Sequence, residues 1–167
     1  MDMQEACARI NALKGIKLQD LAADFGVTVV HSNGQINKGW AGHTIELAIG
    51  LDLNSKQSPD GGEWELKVVP YRESRGFLIP KETMAITMIN PGKVAVTEFE
   101  DSDLLHKLRN LVLPRRTVGA HALEPSYLID AKCFELSGAL WESVKKDYDE
   151  VRACLNDPAR GFNALTG

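Results

Sequence analysis

NKGWAGHTIELAIGLDLNSKQSPDGGEWELKVVP, residues Asn37–Pro70, joins a helical pattern, a turn-rich loop and an alternating strand pattern within one short span. Asn37 can cap a helix running to about Ile49, with Ala41, Ile45, Ala48 and Ile49 as its buried stripe and Gly50 as its stop. Glu46 lies beside that stripe, four residues after Gly42, and so borders the interior. Residues 53–62, LNSKQSPDGG, are dense in turn formers, and Asp60 follows Pro59. A strand is expected over about 63–69. Period-two alternation puts Glu63, Glu65 and Lys67 on one face, and Trp64, Leu66 and Val68 on the other. The bland reading of that strand is an apolar face on the core and a solvated Glu–Lys pair worth at most about 1 kcal/mol.

Outward from this stretch, residues 2–14 are expected to form a first helix, with Cys7, Ile10 and Leu13 on its apolar side and Gly15 ending it. Leu18, Leu21, Ala22 and Phe25 repeat at three and four and stop at Gly26, giving a second short helix. LQDLAADFGV has the look of an opening helix-turn-helix, but a plain helical hairpin covering the core is the reading preferred. Residues 31–36 make a loop. Further strands are expected over 83–89 and 93–99, joined in a hairpin by Asn90-Pro91-Gly92, and over 111–118 and 121–129. Helices are expected over 101–110 and 134–155, the latter with Leu136, Leu140, Val144, Tyr148, Val151 and Leu155 at helical spacing. The order predicts a mixed, layered α/β domain around a central sheet, one domain over 1–167 with residues 1–36 packed on it as a helical segment.

Composition narrows the function classes. The chain has 167 residues, 44% hydrophobic and 25% charged, enough for a proper core. No apolar run approaches the ~18–20 residues of a membrane span, and the polar start MDMQEACARIN is no secretory signal, so a cytoplasmic protein is expected. Cys7, Cys133 and Cys154 are scattered and lack a CxxC, and the four histidines lack metal spacing, which excludes a disulfide framework and a zinc ribbon. The net charge of −4 offers no whole-protein attraction to nucleic acid. Charge is nevertheless segregated. Residues 104–118 contain Lys107, Arg109, Arg115 and Arg116 and no acid, while residues 130–150 are acid-rich.

The chemistry of the central stretch follows from its donors. Asp60 at a strand's entry can meet Glu65 from its middle when the loop folds back, and carboxylate oxygens are the hard ligands that Mg²⁺ prefers. A lysine beside such a pair can orient or deprotonate an attacking water, and Glu46 could add a carboxylate from the neighbouring helix. PD, four residues, then ExK is a degenerate pattern that suits phosphodiester hydrolysis without proving it.

The wider pattern is more specific. KGW-x-G-x-x-x-E is Lys38-Gly39-Trp40, Gly42 and Glu46, and the GSK-like loop with its Asp is Ser55-Lys56 and Asp60. The ELK strand and its proline are Glu65-Leu66-Lys67 and Pro70. Downstream, Glu82-Thr83, TEFEDSDLLHKLRNLVLP (97–114) and, more loosely, ALWESVKKDYDEV (139–151) continue it, so that roughly residues 18–156 are covered. In this order the motifs resemble the MutH family of DNA mismatch-repair endonucleases and the related GATC-cutting type II restriction enzymes.

The resemblance implies a restriction-endonuclease-like core cutting duplex DNA at GATC with Mg²⁺. It makes Asp60 and Glu65 metal ligands, with the Leu66 carbonyl a third. Lys67 becomes the catalytic lysine, Glu46 the helix carboxylate and Lys107 the additional active-site lysine. Lys38, Lys56, Arg109, Arg115 and Arg116 become candidate DNA-backbone contacts, the alternative for the three arginines being a solvated basic helix end. A repair enzyme of this kind works as a monomer with a MutL-like ATPase. Two departures stand out. The Asp60–Glu65 loop is two residues shorter than in the family, and the chain stops at RGFNALTG where a further strand should begin, which reads as a truncated frame or a fragment. The alternatives are a non-catalytic DNA-binding or regulatory remnant, and a nuclease of the same core with another specificity.

Overall fold

The computed structural model describes residues 1–51, 63–121, 123–157 and 159. These residues form two compact units, Met1–Met84 with Asn110–Phe134, and Ala85–Arg109 with the segment from Glu135 on. The architecture is the mixed α/β one expected: a five-stranded mixed sheet with helices.

In the first unit, α1 (Met3–Ala12) and α2 (Leu18–Asp24) bury Ala6, Cys7, Ile10, Leu18, Leu21 and Ala22, so both cover the core as expected, but they do not pack on each other as a hairpin. Asp2 caps α1 by accepting from the Glu5 N–H at 2.7 Å. Gly15 turns with φ +84°, and the chain then runs along the start of a strand, Leu18 N donating to Ser126 O at 2.8 Å. The next helix, α3 (Trp40–Ala48), starts later than Asn37. That side chain instead accepts from Gly39 N at 3.1 Å, while Gly39 occupies the cap.

The sheet shows why the expected strand over 63–69 is longer and interrupted. β1 (Glu65–Leu66) and β2 (Val69–Ser74) both pair in parallel with β4 (Asn110–Thr117). Every pair from Glu65↔Leu111 to Tyr71↔Thr117 keeps the same 46-residue offset. One register therefore runs through the break at Lys67-Val68, and face alternation is preserved across it. β3 (Phe77–Pro80) folds back antiparallel on β2 through Arg75-Gly76, whose φ values of +52° and +80° are those of a two-residue type I′ turn. On the far side β4 pairs with β5 (Leu128–Glu135). Thr117 N donates to Tyr127 O at 2.9 Å, and Arg115 meets Asp130, so numbers fall on one strand as they rise on the other and the pair is antiparallel.

One face of this sheet carries Trp64, Leu66, Val112 and Ala131 into a core shared with α1–α3. The opposite face carries Glu65, Lys67, Tyr71, Arg115 and Asp130.

In the second unit three expectations change. Residues 83–89 form no strand, and Met88 and Ile89 stand 92% and 70% exposed. Residues 93–99 are not a strand either: α4 (Pro91–Val96) is a helix capped by the Asn90 side chain, which accepts from Lys93 N at 3.1 Å, with Pro91 in its first turn. Asn-Pro-Gly is thus a helix start, where a missing proline N–H costs nothing, and not a hairpin turn. The strand expected over 121–129 lies at 128–135. α5 (Asp103–Leu108) is capped by Ser102, and α6 (Gly138–Asn156) packs with α4, Tyr148 Oη donating to Thr97 O at 3.1 Å.

Candidate active site

The ELK tripeptide sits where two structural demands meet. Trp64 and Leu66 enter the core as alternation requires, yet Glu65 on the other face is also buried, at 3% exposure. The solvated-ion-pair expectation therefore fails for the glutamate. Lys67 Nζ lies 2.9 Å from Glu65 Oε1, with the lysine side chain 27% exposed and the glutamate side chain 4%. Lys67 N donates to Val112 O at 3.0 Å, which holds the backbone at the interruption between β1 and β2. Glu63, expected on the solvent side, is exposed, and its carbonyl accepts from the Asn110 side chain at 3.0 Å.

Burying a carboxylate is costly unless it is paired, and the ammonium two residues on offsets part of that cost. A hydrocarbon at such a position is often as stabilising or more so. The retained charge is what marks the site as a candidate.

Glu46 projects from α3, half-buried, beside the buried Trp40, Ala41, Thr44 and Ile45. Its carboxylate folds back along its own helix. A Cβ placed on Gly42 would lie 4.0 Å from Glu46 Oε1, an ordinary contact distance that puts the carboxylate beside Gly42. Gly39 answers a different neighbour, because a Cβ there would meet His43 Cε1 at 3.1 Å. Trp40 anchors the motif: it is 3% exposed, and the Arg116 guanidinium lies 5.4 Å from its ring centre.

Two of the expected site residues, Asp60 and Lys56, lie outside the described residues. Among those described, no three His, Cys, Asp or Glu side chains converge as a metal centre. The donors that are described do suit a hard divalent cation. Glu65 presents a buried carboxylate, and Leu66 follows it in the same strand, buried and registered against Val112. Lys107 belongs to α5 in the second unit, half-buried, and Arg109 follows that helix, exposed.

The other expected DNA contacts divide. Lys38 is exposed just before α3. Arg115 is committed to the sheet, its Nε and a terminal nitrogen donating to the two carboxylate oxygens of Asp130, with its guanidinium 5.3 Å from the Tyr71 ring centre. The Asp130 contact raises the Arg115 pKa further above its ordinary value, and Arg115 in turn holds Asp130 below the usual carboxylate range. Arg116 donates to Ser126 Oγ at 3.0 Å, and burial pulls its pKa down against the opposing charge of Glu82.

Neither Asp130 nor Tyr71 belongs to the sequence motifs, and Asp130 enters the sequence reading only as part of the acid-rich run 130–150. The signal for Tyr71 was there: it lies four residues after Lys67, so a strand carried past Pro70 puts both on one face. Asp130 had no such signal until the true bounds of β5 were known.

Comparison with known proteins agrees with the motif reading. Residues 49–116 match the family model described as DNA mismatch repair enzyme MutH, a span that includes Asp60, Glu65, Lys67 and Lys107 and leaves out Glu46. The chain is similar to the DNA mismatch repair protein MutH of Shewanella sp. strain MR-4, at 31% identity over 113 residues, 66% of this chain and 49% of the relative. The same protein from Shewanella sp. strain W3-18-1 is 29% identical, and that from Shewanella oneidensis 28%, over the same shares of each chain. The chain thus spans about half the length of the curated relatives it matches. The resemblance to the MutH family is shown over this segment.

Proposed function

We propose that this chain carries the catalytic core of a Mg²⁺-dependent DNA endonuclease acting at GATC-type sites. The observation that carries the reading is the buried Glu65 carboxylate held 2.9 Å from Lys67 on a strand whose bland design would leave both in water. Asp60, Glu65 and the Leu66 carbonyl would hold the ion. When bound, Mg²⁺ supplies positive charge against the phosphate oxygens as negative charge builds on them. Lys67 orients water for in-line attack, and its ammonium offsets the negative charge that builds on the phosphate, while Glu46 adds a carboxylate; Lys107 is the additional active-site lysine that the family resemblance implies. Lys38, Lys56 and Arg109 are the proposed backbone contacts. For Arg115 and Arg116 the bonds to Asp130 and Ser126 make strand anchoring the first role.

The rest of the reading comes from the family: a monomer in the cytoplasm, activated by a MutL-like ATPase and nicking hemimethylated DNA. In the membrane direction, no helix among the described residues is long and apolar enough to cross a bilayer.

The test is incubation with Mg²⁺ and GATC plasmids in unmethylated, hemimethylated and methylated forms, with Asp60→Ala and Lys67→Ala alongside. Cleavage by the wild type that both variants lose is the expected outcome, and its persistence in both sinks the proposal. The three methylation states separate a repair nick from restriction. A second reading, DNA binding without cleavage, draws on the chain's spanning about half of its relatives' length. Salt-sensitive binding with no Mg²⁺-dependent nicking would favour it.

A further inference from the structure

The β2–β3 hairpin extends beyond the core and carries the most exposed apolar side chains of the first unit's sheet: Phe77 at 73%, Leu78 at 50% and Ile79 at 36%. Its register sorts the side chains. Cross-strand partners share a face, so Arg72 with Ile79 and Ser74 with Phe77 lie on one side, while Tyr71 with Pro80 and Glu73 with Leu78 lie on the other. Lys81 N donates to Pro70 O at 2.8 Å, which adds Lys81 to the first side. Every charge on that side is basic; it continues the Trp64–Leu66 face of the sheet, and the hairpin's acid, Glu73, is on the Glu65–Lys67–Tyr71 face. Arg75 occupies the tip, exposed, at φ +52°.

Two kinds of partner could cover this surface, and the edge hydrogen bonding decides between them. Directly beyond the turn, Ser74↔Phe77 is a hydrogen-bonded pair, and the pattern alternates from there. Leu78 and Pro80 are therefore the residues whose backbone groups point outward from the edge. Proline has no N–H, so this edge offers a single donor, at Leu78, which disfavours addition of a strand from a second chain. The basic face and tip complement phosphate instead, and a two-stranded ribbon has the width to enter the major groove of a duplex.

We propose that the Arg72–Phe77–Lys81 face of this hairpin, with Arg75 at its tip, is a contact surface for duplex DNA. The inference rests on the DNA-endonuclease reading and adds to it an element outside the KGW, ELK and HKL motifs. Arg72, Arg75 and Lys81 take backbone phosphates, and Phe77 packs against the sugars and base edges between them.

The experiment is anisotropy of a labelled GATC duplex titrated with the full chain in Ca²⁺, from 50 to 200 mM salt. Arg75→Ala lowers the salt-dependence slope by about 0.9, and Arg72→Ala with Lys81→Ala by about 1.8, because each phosphate contact contributes about that much. Arg75→Lys keeps the slope. Phe77→Ala weakens binding several-fold without changing it. Lys146→Gln, a charge removed from exposed α6, changes neither. Wild-type binding with unaltered affinity and slope in the hairpin variants overturns this inference and leaves the nuclease reading standing. Absence of duplex binding by the wild type overturns both. Loss of self-association in Phe77→Ala at unchanged DNA affinity assigns the face to a second copy and also overturns the inference.

Discussion

Asp130→Asn tests whether Arg115 is a sheet anchor or a free phosphate ligand. The exchange keeps the volume and removes the charge that binds Arg115 through two oxygens. The Asp130 side chain is 18% exposed and that of Arg115 30%, so the pair lies between two limits. Exposed pairs contribute about 0.2–1 kcal/mol, whereas breaking a buried pair costs about 3–5 kcal/mol. A loss of about 2 kcal/mol is expected at neutral pH, or roughly 6 °C in Tm for a chain of this size. The sign of the pH dependence follows from Asp130, which Arg115 holds below its ordinary pKa. A depressed carboxylate contributes stability that is fully present above the unfolded value of about 3.9, and loses it as pH falls through the folded value. The gap between wild type and variant should be complete at pH 7 and at pH 5, and close below about pH 4. Urea unfolding at these values measures it. A difference under about 0.5 kcal/mol at pH 7, or one that fails to shrink in acid, would refute the anchoring role. Asp130→Asn also releases Arg115, so if the duplex lies near this face the variant should bind DNA with a steeper salt dependence.

Other expectations address the scaffold. Ile10→Ala, at a fully buried position of α1, should cost about 3 kcal/mol in urea unfolding, since removing a buried isoleucine loses transfer energy and leaves a cavity. Gly76→Ala should cost about 1 kcal/mol, because φ +80° is strained for a side chain, and amide exchange should quicken in β2 and β3 before the rest of the sheet. Ser102→Ala removes the acceptor of Leu105 N and should cost about 1 kcal/mol, with faster exchange at the start of α5.

What was legible in the sequence, and what was not, follows from the range of the signals. α1, α2 and α6 were found because an apolar stripe at helical spacing is local and survives any tertiary arrangement. The ELK strand was found but stopped short, since Pro70 reads as a turn. In the fold Pro70 occupies a position beside β4 where its carbonyl accepts from Lys81 and its missing N–H costs only one rung at the hairpin's open end. The second unit departs from its local pattern for the opposite reason. TMAITMI and KVAVTEF are rich in β-branched residues, but a strand needs a partner, and among the described residues neither has one. There the Asn90 cap decides, with Pro91 after it.

The site divides along the same line. Period two correctly set Glu65 and Lys67 on one side, and the same logic made them solvent-facing, because alternation says which side a residue takes and nothing of what covers it. That Glu65 is buried is a fact of tertiary packing, and it is the one that converts a common surface motif into a candidate centre. An ion pair retained at 3% exposure must be explained by something other than its own stability, since a hydrocarbon pair of like volume would do as well or better. Glu65→Gln makes that argument testable. If the carboxylate is kept for chemistry, the variant should lose Mg²⁺-dependent cleavage while its unfolding midpoint in urea stays within about 1 kcal/mol of the wild type or rises. A variant that unfolds by several kcal/mol more easily and still cleaves would show instead that the glutamate is there to hold the strand.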